Sequence, residues 1–286
     1  MNLLITGAWG KEYIKEIESM GHRVAFMQWE KDELPCDTSW VEGVICNGLF
    51  LYHSLDSFPN LRYIQLTSAG FDRVDMAKIK QKKIVVHNAK GIYSAPMAEF
   101  AVAGVLFLYK QLSEFREQQE RREWKKIRDI KELGGKRVVI IGCGDTGTAC
   151  AKRFKAFDCK VIGVNRTVKE IEWFDLVVGL ERLDTELKMA DVAIVTIALT
   201  EETKGIVKAK NLRPEAILVN ISRGGVVNLD GADCQMILDV FDKEPLESDS
   251  SLWSSAMITP HNSFVGEGNK NRLSSLIMKN LGETIV

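Results

Sequence analysis

Residues Lys136–Gly147 read KRVVIIGCGDTG. The mostly apolar, β-branched run Lys136–Ile141 predicts a strand. Gly142, Gly144 and Gly147 follow at once in G-x-G-x-x-G spacing. A helical stretch, Thr148–Phe157, and a second strand, Lys160–Val164, complete a unit of about thirty residues, the length of a βαβ fold. In such a turn the first glycine permits the tight bend. The second lets a pyrophosphate approach the backbone, and the third lets helix and strand pack closely. The helix N-terminus offers free N–H groups and a positive dipole end to phosphates. A glycine-rich turn alone can be only a turn. Here the strand before, the helix after and the second strand at the right distance favour dinucleotide binding.

The composition bounds what surrounds this unit. The chain has 286 residues, 45% hydrophobic and 27% charged, which is globular and long enough for two cores. A net charge of −1 gives no sign of a nucleic-acid or membrane-surface partner. The one basic cluster, Arg121–Arg128, contains Glu123 and reads as a solvated helix face. Six cysteines are scattered without a C-x-x-C, so neither a metal site nor a disulfide framework is indicated. That usage fits a reducing, cytoplasmic setting. MNLLITGAW lacks a basic n-region and runs into a strand, unlike a signal peptide. The longest nearly apolar run, Phe100–Tyr109, is too short to span a bilayer.

Strands are expected at 2–6, 23–28, 44–46, 61–66 and 84–87, with helical or loop segments between, so the first ninety or so residues read as one parallel α/β domain. Ser94–Gln119 reads as one long helix with Pro96 just inside its start; its part Ala98–Lys110 is almost wholly apolar and should be buried. Beyond the glycine loop, strands are expected at 176–178, 192–198, 216–220, 236–241 and 257–259, and a last helix from Gly268. Arg223 follows the third of these, Glu244 the fourth and His261 the fifth. Carboxyl ends of strands in open α/β sheets are where ligands bind. Each residue has a plainer reading: a surface arginine, a last turn before Pro245, a histidine satisfied beside a proline. Together they supply a cation for a carboxylate, an acid–base imidazole and a carboxylate to orient it.

In order along the chain stand QLTSAGFDRVD (Gln65–Asp75), VHNAKGIYSAPMAEF (Val86–Phe100), the glycine loop, LTEETKGI (Leu199–Ile206), NISRGG (Asn220–Gly225), LDVFDKEPL (Leu238–Leu246) and TPHNSFVGEG (Thr259–Gly268). These phrases, covering nearly the whole chain, resemble the D-2-hydroxyacid dehydrogenase family (D-isomer specific, phosphoglycerate dehydrogenase-like). The resemblance implies two doubly wound parallel-sheet domains. A Rossmann cofactor domain, residues 94–263, would be inserted into a flavodoxin-like substrate domain, residues 1–93 plus 264–286. It implies an NAD(P)-dependent oxidoreductase passing hydride between a nicotinamide and a small 2-oxoacid or D-2-hydroxyacid. Arg223, Glu244 and His261 would be catalytic: His261 the acid/base, Glu244 its partner, Arg223 the carboxylate binder. Backbone N–H groups around Ser68, Ala69 and Gly70 would cradle the substrate carboxylate. The cofactor would meet Gly142, Gly144, Asp145, Thr146, Gly147, Asn165, Arg166, Thr167, Ala198, Thr203, Ile221 and Ser222, with Asp239 near the nicotinamide amide. The family is usually dimeric through its cofactor domains, for which Ala98–Lys110 is a candidate contact as well as plain core. It also contains dinucleotide-sensing co-repressors, a rival reading that no partner motif in this sequence favours. Formate or phosphite dehydrogenation on the same fold is a further enzymatic rival.

NAD sites usually carry Asp or Glu about twenty residues past the glycine loop, for the ribose 2′-OH. Here the second strand ends in Asn165-Arg166-Thr167, with no acid. A 2′-phosphate would meet a cation, which favours NADP(H) and leaves NAD(H) open, since Arg166 could equally face solvent or stack on adenine. One segment departs from the family. Between NISRGG and LDVFDKEPL the ten residues Val226–Gln235 (VVNLDGADCQ) are poor helix formers and short for a parallel crossover. Either the crossover helix has been lost or loop residues are missing from the chain as written. The second is favoured, because these residues cannot comfortably supply the connection.

Overall fold

The computed structural model describes residues 1–284. The chain divides into two compact units, Met1–Tyr93 with Gly266 onward, and Ser94–Val265. The return to the first unit thus falls two residues beyond the expected 263/264 boundary.

The first unit is a five-stranded parallel sheet. Its strands are β1 (Asn2–Thr6), β2 (Arg23–Met27), β3 (Gly43–Cys46), β4 (Tyr63–Leu66) and β5 (Val85–His87), in the order β2-β1-β3-β4-β5. This is the flavodoxin-like doubly wound order. Alternation splits the strand residues between two buried layers, Leu4, Val44 and Ile64 on one face and Leu3, Ile5, Ile45 and Tyr63 on the other. The helix Asn269–Thr284 sends Leu273, Ile277 and Leu281, four residues apart, into the second layer. Beside them the buried Asn280 donates to Gln65 Oε1 at 2.7 Å. Each fully buried aliphatic side chain contributes about 1.5–3 kcal/mol over its exposed state.

In the second unit, in chain order, come β6 (Arg137–Ile141), β7 (Lys160–Val164), β8 (Leu176–Val178), β9 (Val192–Val195), β10 (Val207–Lys208), β11 (Ile217–Asn220), β12 (Val227–Asn228), β13 (Gln235–Leu238) and β14 (Met257–Ile258). Seven of them form a sheet of order β14-β13-β11-β9-β6-β7-β8 with every pair parallel, while β10 and β12 pair separately. The direction of winding reverses between β6 and β9, so the glycine loop after β6 opens onto the topological switch point. Both faces are covered, which is why the strands are continuous apolar runs. Val139, Ile141, Ala193 and Val195 enter one layer, and Val138, Ile140, Val192 and Ile194 the other.

Several expectations need correction. Ser94–Gln119 is not one helix. It breaks into Ser94–Tyr109 and Leu112–Arg121 because Gln111 adopts a left-handed φ of 50°. The basic cluster is not a helix face either, since the second helix stops at Arg121 and Arg122 turns left-handed at φ 57°. Ala98, Ala101, Val102, Val105 and Tyr109 pack into the unit's own core, which gives the apolar helix its structural role. The helix after the glycine loop starts at Asp145, three residues early, with Gly144 as its N-cap. β13 ends at Leu238, three residues short of Phe241, because Asp239 turns into the next loop.

The short segment after NISRGG does bridge β11 to β13. A 3₁₀ turn (Gly224–Val226) leads into β12, Gly231 reverses the chain at φ 69°, and Gln235 N–H bonds Ala216 O at 3.0 Å. Pairing of β12 with β10 gives the backbone of Val227 and Asn228 its partners. Cys234 and Met236 are buried without a crossover helix. Among the described residues no helix is long and apolar enough to cross a membrane.

Candidate active site

Six strand ends of the second unit, those of β6, β7, β9, β11, β13 and β14, carry the candidate residues. At β6, Gly142 takes φ 97°, and a Cβ there would lie 2.8 Å from Ile197 N. A Cβ on Gly147 would lie 2.0 Å from Gly142 O, so only glycine lets this helix approach the turn. Around Gly144 a Cβ would meet nothing within 4 Å. The loop is therefore shut toward the protein and open at the helix N-terminus, which is the shape a pyrophosphate needs. Thr196, not singled out in the sequence, donates its hydroxyl to Ile141 O at 3.0 Å and Gly142 O at 2.7 Å and ties the turn to β9. Asp145 is exposed in the first helical turn, whereas the Thr146 hydroxyl lies 3.4 Å from that of Ser94. Burial pushes the Cys143 thiol up to about 12, so it is no thiolate at neutral pH.

At the end of β7, Asn165 Nδ2 bonds Thr167 O at 3.0 Å, while Arg166 and Thr167 are exposed. The Glu202 carboxyl is held below the usual carboxylate range, first by the Thr200 hydroxyl and, more weakly, by the charge of Arg166. Beyond β9, the Thr203 hydroxyl donates to Ala198 O at 2.7 Å and accepts Thr200 N–H at 2.7 Å, closing that loop on itself.

At β11 the strand-terminal Asn220 is buried and holds the next three residues. Its Oδ1 accepts Ser222 N–H and Ser222 O–H, each at 3.1 Å, and its Nδ2 donates to Arg223 O at 3.0 Å. Ile221 is sunk in the core, so only its backbone faces outward to any ligand. The Arg223 guanidinium donates to Ser222 O at 2.8 Å. Directly after it, a Cβ on Gly224 would stand 2.1 Å from the carbonyl carbon of Phe241 and 2.4 Å from Asp242 N. Two turns thus touch backbone to backbone, one carrying Arg223 and the other leading to Glu244.

Glu244 and His261 meet directly. His261 Nδ1 lies 2.8 Å from Glu244 Oε2, and Glu244 Oε1 accepts Phe241 N–H at 3.0 Å. With Nδ1 committed to the carboxylate, Nε2 is the nitrogen left for proton exchange. Both side chains are about one-third exposed, at 35%. The Phe264 ring stands edge-on to the imidazole, 5.9 Å between centroids. His261 has φ 51°, a left-handed backbone that costs a non-glycine residue roughly 1–2 kcal/mol. Asp239 is fully buried one strand away, and its carboxylate accepts Thr259 O–H at 2.6 Å, Asn262 N–H at 2.7 Å and Ser263 N–H at 3.0 Å.

The turn Ser68–Gly70 belongs to the first unit, at the carboxyl end of β4. Its hydrogen bonds fall on the carbonyl side: Ala89 N–H to Ser68 O at 2.9 Å, Asn88 Nδ2 to Ala69 O at 2.6 Å, and Ser68 O–H to Gly70 O at 3.0 Å. Nearby, the Tyr93 hydroxyl donates to Thr67 O.

Residues 102–263 match the family model described as "D-isomer specific 2-hydroxyacid dehydrogenase, NAD binding domain". The chain belongs to the D-isomer specific 2-hydroxyacid dehydrogenase family. Among curated relatives, a glyoxylate reductase of Thermofilum pendens is 28% identical over 253 residues, covering 79% of this chain and 73% of its own. The glyoxylate/hydroxypyruvate reductase A HPR2 of Arabidopsis thaliana is 30% identical over 247 residues, covering 79% and 76%. A crystal structure of a D-isomer specific 2-hydroxyacid dehydrogenase family protein from Aeromonas salmonicida superposes with a TM-score of 0.83 at 27% identity, covering 99% of this chain and 95% of that one. The family places the glycine loop in an NAD-binding domain, and the loop's open face at Gly144 fits the dinucleotide.

Proposed function

We propose that the protein is an NAD(P)-dependent reductase of small 2-oxoacids, yielding D-2-hydroxyacids, with glyoxylate and hydroxypyruvate as its first candidate substrates. The pairing of His261 Nδ1 with Glu244 at 2.8 Å carries this reading, because it presets an imidazole for proton transfer through Nε2 at the same carboxyl edge of the sheet as the glycine loop. The substrate names are supported by the reductases to which the chain is similar. When bound, the nicotinamide supplies the hydride. His261 donates a proton to the oxygen that becomes the hydroxyl, and Glu244 holds the ring in orientation and stabilises the imidazolium. Arg223 binds the carboxylate and polarises the carbonyl. The test is oxidation of NADPH and of NADH with a panel of 2-oxoacids, for wild type and for His261→Ala. Absence of turnover by wild type on every member would sink the reading.

NADP(H) is the favoured cofactor, supported by the exposed Arg166 and the lack of an acid at the end of β7. Arg166→Ala is expected to raise KM for NADPH by one to two orders of magnitude and leave KM for NADH within about threefold, the scale of one charge-assisted contact of ~1.5–3 kcal/mol. Equal effects on both cofactors would mean that Arg166 contacts the shared part of the dinucleotide. A homodimer is also part of this reading. Leu112, Phe115 and Trp124 are exposed along one stretch of the second unit, Trp124 by 99%, and offer apolar side chains to a second copy. Trp124→Glu is expected to shift sedimentation equilibrium from dimer to monomer; a wild type that sediments as a monomer at micromolar concentration contradicts this.

A further inference from the structure

Asp239 sits at the end of β13 with no exposed surface. Its carboxylate has three donors, and all belong to one loop: Thr259 O–H, Asn262 N–H and Ser263 N–H. The main chain adds a fourth tie, His261 N–H to Asp239 O at 2.9 Å. The residue in the middle of that loop is His261, whose left-handed backbone needs to be held from both sides. Asp239 N–H in turn bonds Asn220 O at 3.0 Å, the same Asn220 whose side chain fixes the Arg223 turn. We infer that Asp239 is a positioning residue for His261, with its carboxylate serving as the mooring of the 259–263 loop.

A fully desolvated carboxylate on two amides and a hydroxyl is a stiff anchor, because losing any donor leaves charge buried without compensation. The loop therefore keeps one conformation, and the imidazole arrives at Glu244 without ordering cost at the moment of reaction. The inference rests on the proposed acid/base role of His261.

Asp239→Asn places an NH₂ group opposite donors at one of the two oxygen positions. It is expected to lower kcat at saturating cofactor by about one to two orders of magnitude, with KM for the 2-oxoacid within about threefold. Thr259→Val removes a single donor and is the milder probe, should the buried Asn destabilise the fold. It is expected to cost several-fold in kcat, and Thr259→Ser, which keeps the hydroxyl, to restore it. A readout independent of turnover comes from the four histidines, His22, His53, His87 and His261. In proton–carbon spectra of the imidazoles, Asp239→Asn and Thr259→Val are expected to move the His261 resonance alone. Wild-type kcat and an unmoved His261 signal in both variants would overturn the inference, as would a loss confined to dinucleotide Kd, which would make Asp239 a cofactor ligand. No turnover by wild type would instead remove the underlying reading, while the spectra would still report on the mooring.

Discussion

His261→Ala is expected to lower kcat for 2-oxoacid reduction by roughly 10²–10⁴-fold while the dinucleotide still binds with unchanged Kd. The imidazole is the one acid–base side chain that the second unit pairs with a carboxylate at the sheet's carboxyl edge, at 2.8 Å from Glu244. Removing it leaves no group to protonate the developing alkoxide except water. It also leaves Glu244 with one backbone donor, Phe241 N–H. Because the ring is one-third exposed, truncation opens no sealed cavity, and the thermal midpoint is expected to move by less than about 3 °C. Stopped-flow measurement of NADPH consumption, beside a melting curve, separates these effects. A variant that keeps more than a tenth of wild-type kcat would show that another group carries the proton.

Gly224→Ala is the second large effect. A methyl group there would stand 2.1 Å from one backbone carbon and 2.4 Å from a backbone nitrogen, neither the movable end of a side chain. The Arg223 turn and the Phe241–Glu244 turn must separate by more than an ångström. Overpacking of this kind costs about 1–3 kcal/mol, and a 1 Å misplacement of a binding or catalytic group costs on the order of 10²-fold in rate. The expected outcome is therefore a melting temperature lower by roughly 3–10 °C with kcat/KM down about a hundredfold. The matched control is Gly225→Ala, whose methyl would meet the Leu199 side chain at 3.3 Å, a contact that can relax. Equal behaviour of the two variants would refute the special role given to Gly224.

The sequence made the strands of both units legible because their β-branched runs are buried on two faces and must be apolar throughout. The glycine loop was legible because each glycine answers a separate steric demand, visible afterwards at Gly142 and Gly147. Arg223, Glu244 and His261 stood out as candidates through the phrases around them, and the structure pairs Glu244 with His261. The supports were not legible. Thr196 and Gly224 act on segments distant in the chain, and nothing in their local pattern announces a partner at the β6 turn or at Phe241, while Asn220 acts on its near neighbours Ser222 and Arg223 through a side chain whose burial only the fold reveals. The break at Gln111 was hidden for a different reason: a polar residue in αL leaves no glycine or proline to mark it. The path over Val226–Gln235 was not legible because it runs through a pair of two-residue strands, β10 and β12, and a left-handed turn at Gly231, all too short to show a hydrophobic period.

The helix Asn269–Thr284 completes the hydrophobic layer that Leu3, Ile5 and Tyr63 begin. On the ribosome this sets a timetable. The second unit has all of its residues once Val265 is made, whereas the first, though started earlier, stays open on one face until its closing helix emerges. At about 5–20 residues per second, the stretch from Tyr93 to Leu281 keeps Leu3 and Ile5 waiting some 10–40 s. Until then Tyr13 and Ile17 of the helix Lys11–Ser19 cover only part of that layer, and the nascent chain carries the remainder exposed throughout the folding of the unit inserted within it.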